Sequence, residues 1–146
     1  MMANESAPRF AAVGAGRMGR GIAIAFAYAG HRISLIDLRQ RSDAAWQTLR
    51  SEALAEIASS LSGLAQLGVL DQSQVDGITK RVVLVRADAA ATALGGAELV
   101  FEGVPETLQA KREAFEQINR LCRDDAILTS TTSSILVTQI AAFVHK

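Results

Sequence analysis

A single cysteine, Cys122, stands in this chain of 146 residues. An internal disulfide and any multi-cysteine metal site are excluded, no metal is called for, and a reduced, cytoplasmic setting fits best. Charge of one sign is missing too, because fifteen basic residues balance fifteen acidic ones. No global field exists to recruit nucleic acid or an anionic membrane. Long apolar runs are also absent. The longest, Ile22 to Ala29, falls far short of the ~20 residues needed to cross a bilayer. Residues 1–8 are polar and lack the apolar core of a signal peptide. What remains is a chain of one-domain size, 49% hydrophobic, which can build a real core and reads as a soluble domain.

The stretch Gly14-Ala15-Gly16-Arg17-Met18-Gly19 organises that domain. It follows the apolar run 10–13 and opens a helical pattern of Ile22, Ala25, Phe26 and Ala29. In that context G-x-G-x-x-G is a dinucleotide-binding candidate. Gly14 permits a tight reversal, Gly16 admits a pyrophosphate close to backbone, and Gly19 lets the helix lie against the sheet. The helix N-terminus, with Arg17 and Met18 in its first turn, presents N–H groups and a positive dipole end to the phosphates. Asp37 closes the second apolar run, 33–36, roughly 20 residues past the glycines, where an acid holds the ribose hydroxyls of NAD. A carboxylate there repels a 2′-phosphate, so NAD is expected over NADP, although Arg39 and Arg41 just beyond attract one. The plain alternative for Asp37 is the start of the next helix.

Apolar runs at 9–13, 32–36, 82–85, 97–101 and 126–129 alternate with helical patterns. That cadence predicts an α/β fold, a doubly wound parallel (Rossmann) sheet. A helical hairpin is expected between strands two and three, from a long helix over 42–67 that bends near 59–63 and a shorter one capped at Asp71. Gly30 and Gly68 end helices, and Gly95-Gly96 stops a short one. Ligands of such sheets bind beyond the carboxyl ends of the strands. Gly14, Asp37, the 102–106 loop and the 130–134 loop all fall there.

The glycine string, Glu102-Gly103-Val104-Pro105-Glu106 followed by Lys111, and Thr132-Ser133-Ser134 together resemble the NAD-binding domain of 3-hydroxyacyl-CoA dehydrogenases. The similarity runs from about residue 9 to the end. It implies an NAD-dependent dehydrogenase in which Glu106 and Lys111 approach the ribose and nicotinamide end of the cofactor. It also makes Ser133 the catalytic serine that hydrogen-bonds the substrate's reacting oxygen. Read without the resemblance, Glu106 and Lys111 are a surface pair and Ser133 is a helix N-cap. Thr131 stands where the family usually has Asn, at a cofactor-facing position. The family's hairpin is typically lysine-rich and helps hold CoA, yet residues 51–79 contain no Lys or Arg. That departure favours relatives acting on free hydroxy acids, of the L-gulonate and carnitine dehydrogenase types.

The family's general base is a His in His-x-x-Asn-Pro, followed by a helical domain that completes the substrate site and a homodimer. Only His31 and His145 are present, and neither lies in that motif. The chain is therefore expected to be the cofactor half of an NAD-dependent 3-hydroxyacyl-CoA dehydrogenase acting on a small hydroxyacyl molecule, with a dehydrogenase of a free 3-hydroxy acid as the alternative. It is expected to be truncated, part of a longer protein or a genuine short protein. A stand-alone, non-catalytic NAD-binding module is a second alternative, and another doubly wound nucleotide binder such as a methyltransferase is a third.

Overall fold

The computed structural model describes residues 8–145. Five strands are β1 Phe10–Val13, β2 Ile33–Ile36, β3 Val82–Val85, β4 Leu99–Glu102 and β5 Ile127–Ser130. Six helices alternate with them: α1 Arg17–Tyr28, α2 Asp43–Gln66, α3 Val75–Thr79, α4 Ala90–Gly96, α5 Leu108–Leu121 and α6 Val137–Ala141. The strands form one parallel sheet in the order β3-β2-β1-β4-β5. The order reverses between β1 and β4, which is where doubly wound sheets open a ligand crevice.

Alternation along each strand feeds a core on either face. Ala12, Ile33, Leu35 and Val82 pack with Ala23 and Ala27 of α1, Ile57 and Leu61 of α2, and Val75 and Ile78 of α3. Ala11, Val13, Ile36 and Val100 pack with Leu94 of α4, Phe115 and Ile118 of α5, and Ile140 of α6. Burial on both faces explains the continuous apolar runs read from the sequence.

Local chemistry sets most element ends. Gly30 (φ +95) and Gly68 (φ +74) take left-handed conformations where α1 and α2 stop, as glycines past a helix end do. Ser42 caps α2 by accepting from the Ala45 N–H, so Asp37 does not start that helix. Asp71 and Gln74 form a capping box over the 3-10 turn before α3. α2 runs unbroken through residues 59–63, where a bend was expected. Ala53, Ile57 and Leu61 stay on its buried face, and that packing outweighs the weak propensity of a serine- and glycine-containing stretch. α4 includes Gly95 and Gly96 and ends at Ala97. No helix is long and apolar enough to cross a membrane among the described residues.

One register row defines the edge of interest. Val85, Ile36, Val13, Glu102 and Ser130 lie side by side across the sheet. The ladder continues one residue past each strand end, through Asp37 N–H to Val85 O (2.9 Å), Gly14 N–H to Ile36 O (2.8 Å), Gly103 N–H to Val13 O (2.8 Å) and Thr131 N–H to Glu102 O (3.0 Å). Four loops thus leave the sheet in a fixed geometry.

Candidate functional site

The glycine turn is shaped by backbone meeting backbone. Gly14 has φ +104, and a Cβ there would lie 2.8 Å from Gly103 O. A Cβ on Gly19 would lie 1.8 Å from Gly14 O and 3.1 Å from Leu35 Cδ1. A Cβ on Gly16 would meet no protein atom within 4 Å. The fold therefore requires glycine at 14 and 19, whereas at 16 the protein leaves a cradle that a side chain would fill. Gly16 is the N-cap of α1, provides no side-chain cap, and no acid stands in the first turn. Arg17 and Met18 are exposed on that turn. An uncapped helix start beside an open glycine fits a pyrophosphate.

Asp37 is nearly buried. Its Oδ2 pairs with the Arg41 guanidinium, and its Oδ1 accepts only a long 3.4 Å bond from the Arg39 N–H. A carboxylate has about four lone-pair sites, so acceptor capacity remains for a ribose diol. The pairing also offsets the charge of Arg41, one of the two arginines that would attract a 2′-phosphate.

The second cluster lies at the ends of β4 and β5. Lys111 and Glu102 are fully buried, with the ammonium 3.0 Å from both carboxylate oxygens. Glu102 also accepts from the Val104 N–H (2.7 Å) and the Ser130 hydroxyl (2.5 Å). Lys111 reaches Glu106 at 3.1 Å. Glu106 Oε1 in turn accepts from Thr132 Oγ1 (2.7 Å), the N–H groups of Ser133 (2.8 Å) and Ser134 (2.9 Å), and Ser134 Oγ (3.1 Å). The Ser134 N–H, the Thr132 hydroxyl and the Ser133 N–H hold the Glu106 carboxyl well below the usual carboxylate range.

Two readings are corrected here. Lys111 belongs to no surface pair, because Glu102 compensates its charge inside the protein. Ser133 is not a helix N-cap either. α6 starts after Leu136, while the Ser133 N–H is held by Glu106 and Thr132 Oγ1 takes the Ile135 N–H (3.1 Å). Glu102 itself was assigned no role from sequence. An acid closing an otherwise apolar strand was the available signal.

Gly14, Asp37, Glu106, Lys111, Thr131 and Ser133 all sit at the carboxyl edge of the sheet. His31 does not. It precedes β2 and packs edge-on against Phe10 and at a tilt against Phe26, with centroid separations of 5.2 and 6.3 Å. His145 is exposed after α6.

A parallel sheet with a glycine turn at its switch point and an acid closing β2 defines a dinucleotide-binding domain of the dehydrogenase kind. More narrowly, the chain belongs to the family described as the 3-hydroxyacyl-CoA dehydrogenase NAD-binding domain, which matches residues 9–146, and its cofactor is NAD. A probable 3-hydroxyacyl-CoA dehydrogenase of Caenorhabditis elegans is 32% identical over 90% of this chain and 42% of its own length. A lambda-crystallin homolog of Bos taurus is 34% identical over 90% of this chain and 39% of its own. Among solved structures, (S)-3-hydroxybutyryl-CoA dehydrogenase from Ralstonia eutropha superposes with a TM-score of 0.78 at 31% identity, over 95% of this chain and 46% of that one. The chain thus spans less than half the length of these relatives.

Gly16→Val is expected to abolish NADH binding with the fold kept, and Gly19→Ala to disrupt the fold itself. Circular dichroism and NADH titration separate the two, and a well-folded, tightly binding Gly16→Val would place the phosphates elsewhere.

Glu106 also predicts a pH dependence. Its folded pKa is depressed, so its stabilisation is present above the unfolded value, about 4.3, and is lost as pH falls toward the folded one. Glu106→Gln should be less stable than the parent at pH 7, with the gap closing below about pH 4. Urea midpoints across that range measure it, and a pH-independent gap would refute the assignment.

Proposed function

We propose that this chain is the cofactor half of an NAD-dependent 3-hydroxyacyl-CoA dehydrogenase. The observation that carries the reading is the convergence of two built devices on one sheet edge. The glycine turn with Asp37 fits the adenosine and pyrophosphate. The Glu102–Lys111–Glu106 cluster fixes the Thr132–Ser134 loop beside it. NAD, when bound, supplies the hydride acceptor. Glu106 borders its ribose and nicotinamide end with Lys111 buried behind it, Thr131 faces the cofactor, and the Ser133 hydroxyl donates to the reacting oxygen of the substrate. With its N–H held by Glu106, Ser133 presents that hydroxyl from an anchored backbone.

The proton of the substrate hydroxyl goes to a base outside residues 8–145, since His31 faces away and His145 lies beyond the loop cluster. That base belongs to a further domain, which also forms a homodimer, in a cytoplasmic enzyme. Residues 1–146 should accordingly bind NADH without turning it over. Proton abstraction contributes typically 10²–10⁴-fold, and orientation of the second reactant adds to it. NADH fluorescence establishes binding, and absorbance with 3-hydroxyacyl-CoA esters and free 3-hydroxy acids follows turnover. Ordinary enzyme rates would place the base within this chain, with His145 the first residue to replace. If the full-length protein binds NADH and turns over neither substrate class, the non-catalytic module is the correct reading.

A second reading, a dehydrogenase of free hydroxy acids, is favoured by one observation. No cation lies in residues 51–79, which include most of α2 and all of α3, so a CoA phosphate finds no partner there. In the full-length protein a preference for the CoA ester beyond about a thousandfold in kcat/KM, roughly 4 kcal/mol of transition-state binding, would reject it.

NAD should be preferred over NADP, and Asp37→Ala should narrow the preference twice over. It removes the repelling carboxylate, and it frees Arg41 to meet a 2′-phosphate. Titration of both cofactors tests this, and an unchanged ratio would mean that Asp37 does not face the ribose.

A further inference from the structure

The charges at the ends of β4 and α5 do not cancel. One ammonium, Lys111, serves two carboxylates, Glu102 at 3.0 Å and Glu106 at 3.1 Å. Glu102 and Lys111 are sealed from water, and the Glu106 side chain is 34% exposed. Two negative charges against one positive leave one negative charge in excess. The remaining partners of the trio are neutral donors: Val104 N–H, Ser130 Oγ, Thr132 Oγ1, the Ser133 and Ser134 N–H groups and Ser134 Oγ. They disperse the negative charge without offsetting it. Other charged groups of this edge lie outside the trio, and among the described residues Arg17 on the first turn of α1 and Arg39 after β2 form no ion pair of their own. Asp37 and Arg41 neutralise each other, Arg20 pairs with Glu56, and Arg112 lies 4.9 Å over the Phe143 ring.

We infer that this trio sets the redox preference of the bound cofactor, with Glu102 as the positioning residue that fixes the excess charge. The nicotinamide ring is a cation in NAD+ and neutral in NADH. A net negative cluster beside it therefore stabilises the oxidised form selectively. Salt screens a buried charge weakly, and its effect persists over distance where the effective dielectric is below that of water. The bound couple becomes more reducing than the free one, which favours hydride delivery to a keto group. Glu102 does this from behind Lys111, without touching the cofactor. The inference rests on the proposed placement of the nicotinamide end near Glu106 and the 132–134 loop.

The test is the ratio of dissociation constants, Kd(NADH)/Kd(NAD+), measured by titration at fixed ionic strength. Glu102→Gln keeps an acceptor for the Val104 N–H and removes one charge, so the ratio should fall by about fivefold or more. Glu106→Gln, at the rim of the cluster, should lower it at least as far. Glu102→Asp retains the charge and should restore the parental ratio, even if both affinities weaken together. Loss of packing or local order would weaken both cofactor states alike and leave the ratio where it was. A ratio unchanged in both Gln variants overturns the inference while leaving the NAD reading intact. Failure of the parent protein to bind either form overturns the NAD reading, and this inference with it. Should Glu102→Gln fail to fold by circular dichroism, the ratio in Glu106→Gln decides alone.

Discussion

The structure depends on three glycines from different parts of the chain meeting backbone to backbone. Gly14 follows β1, Gly19 lies in the first turn of α1, and Gly103 follows β4. A Cβ on Gly103 would sit 3.4 Å from Gly19 N and 3.5 Å from Val13 O, and one on Gly14 would clash with Gly103 itself. This contact fixes the start of α1 at the gap between β1 and β4, where the strand order reverses. α1 can stay that close along its length because its fully buried positions are also small, Ala23 and Ala27. Its N-terminus then points at the crevice because of packing, before any ligand is considered.

The ionic clusters answer a different constraint. Burying charges is costly even when they are paired, and replacing such pairs with apolar residues is often neutral or stabilising. Stability alone is thus a poor reason for Glu102 and Lys111 to be where they are. Among the described residues the buried polar or charged ones are Ser34, Asp37, Glu102 and Lys111, and the last three all lie at the carboxyl edge. Ser34, in the middle of β2, leaves its hydroxyl without a partner, and nothing in the structure explains it. Departures from an apolar interior thus concentrate where the fold places a ligand, as expected when function overrides local consistency.

This division also explains what was legible in the sequence. Continuous apolar runs and glycine punctuation carry the strands, and their spacing located all five to within one or two residues. The roles of Gly14 and Gly19 follow from backbone sterics, which a local motif encodes. The Lys111 environment does not. Its principal partner, Glu102, is nine residues earlier, and the contact exists only because β4 and α5 pack together. The same holds for Ser133: a serine before an apolar run looks like an N-cap, but Glu106, 27 residues earlier, captures its N–H and α6 begins later. Pairings set by tertiary packing leave no periodicity to read.

The charge on α2 gains a role on the same terms. Past Arg50 the helix carries Glu52 and Glu56 and no cation, which makes its exposed surface a poor docking place for an anion. Glu56 instead pairs with Arg20 of α1, and Arg20 Nε also donates to Ala15 O at 2.9 Å. An acidic residue of the inserted helix therefore holds an arginine that grips the backbone of the glycine turn. A lysine at position 56 would repel Arg20 and loosen that grip. Through Glu56 the acidity of α2 supports the glycine turn proposed to hold the pyrophosphate, and the same acidity limits what this helix offers a charged substrate.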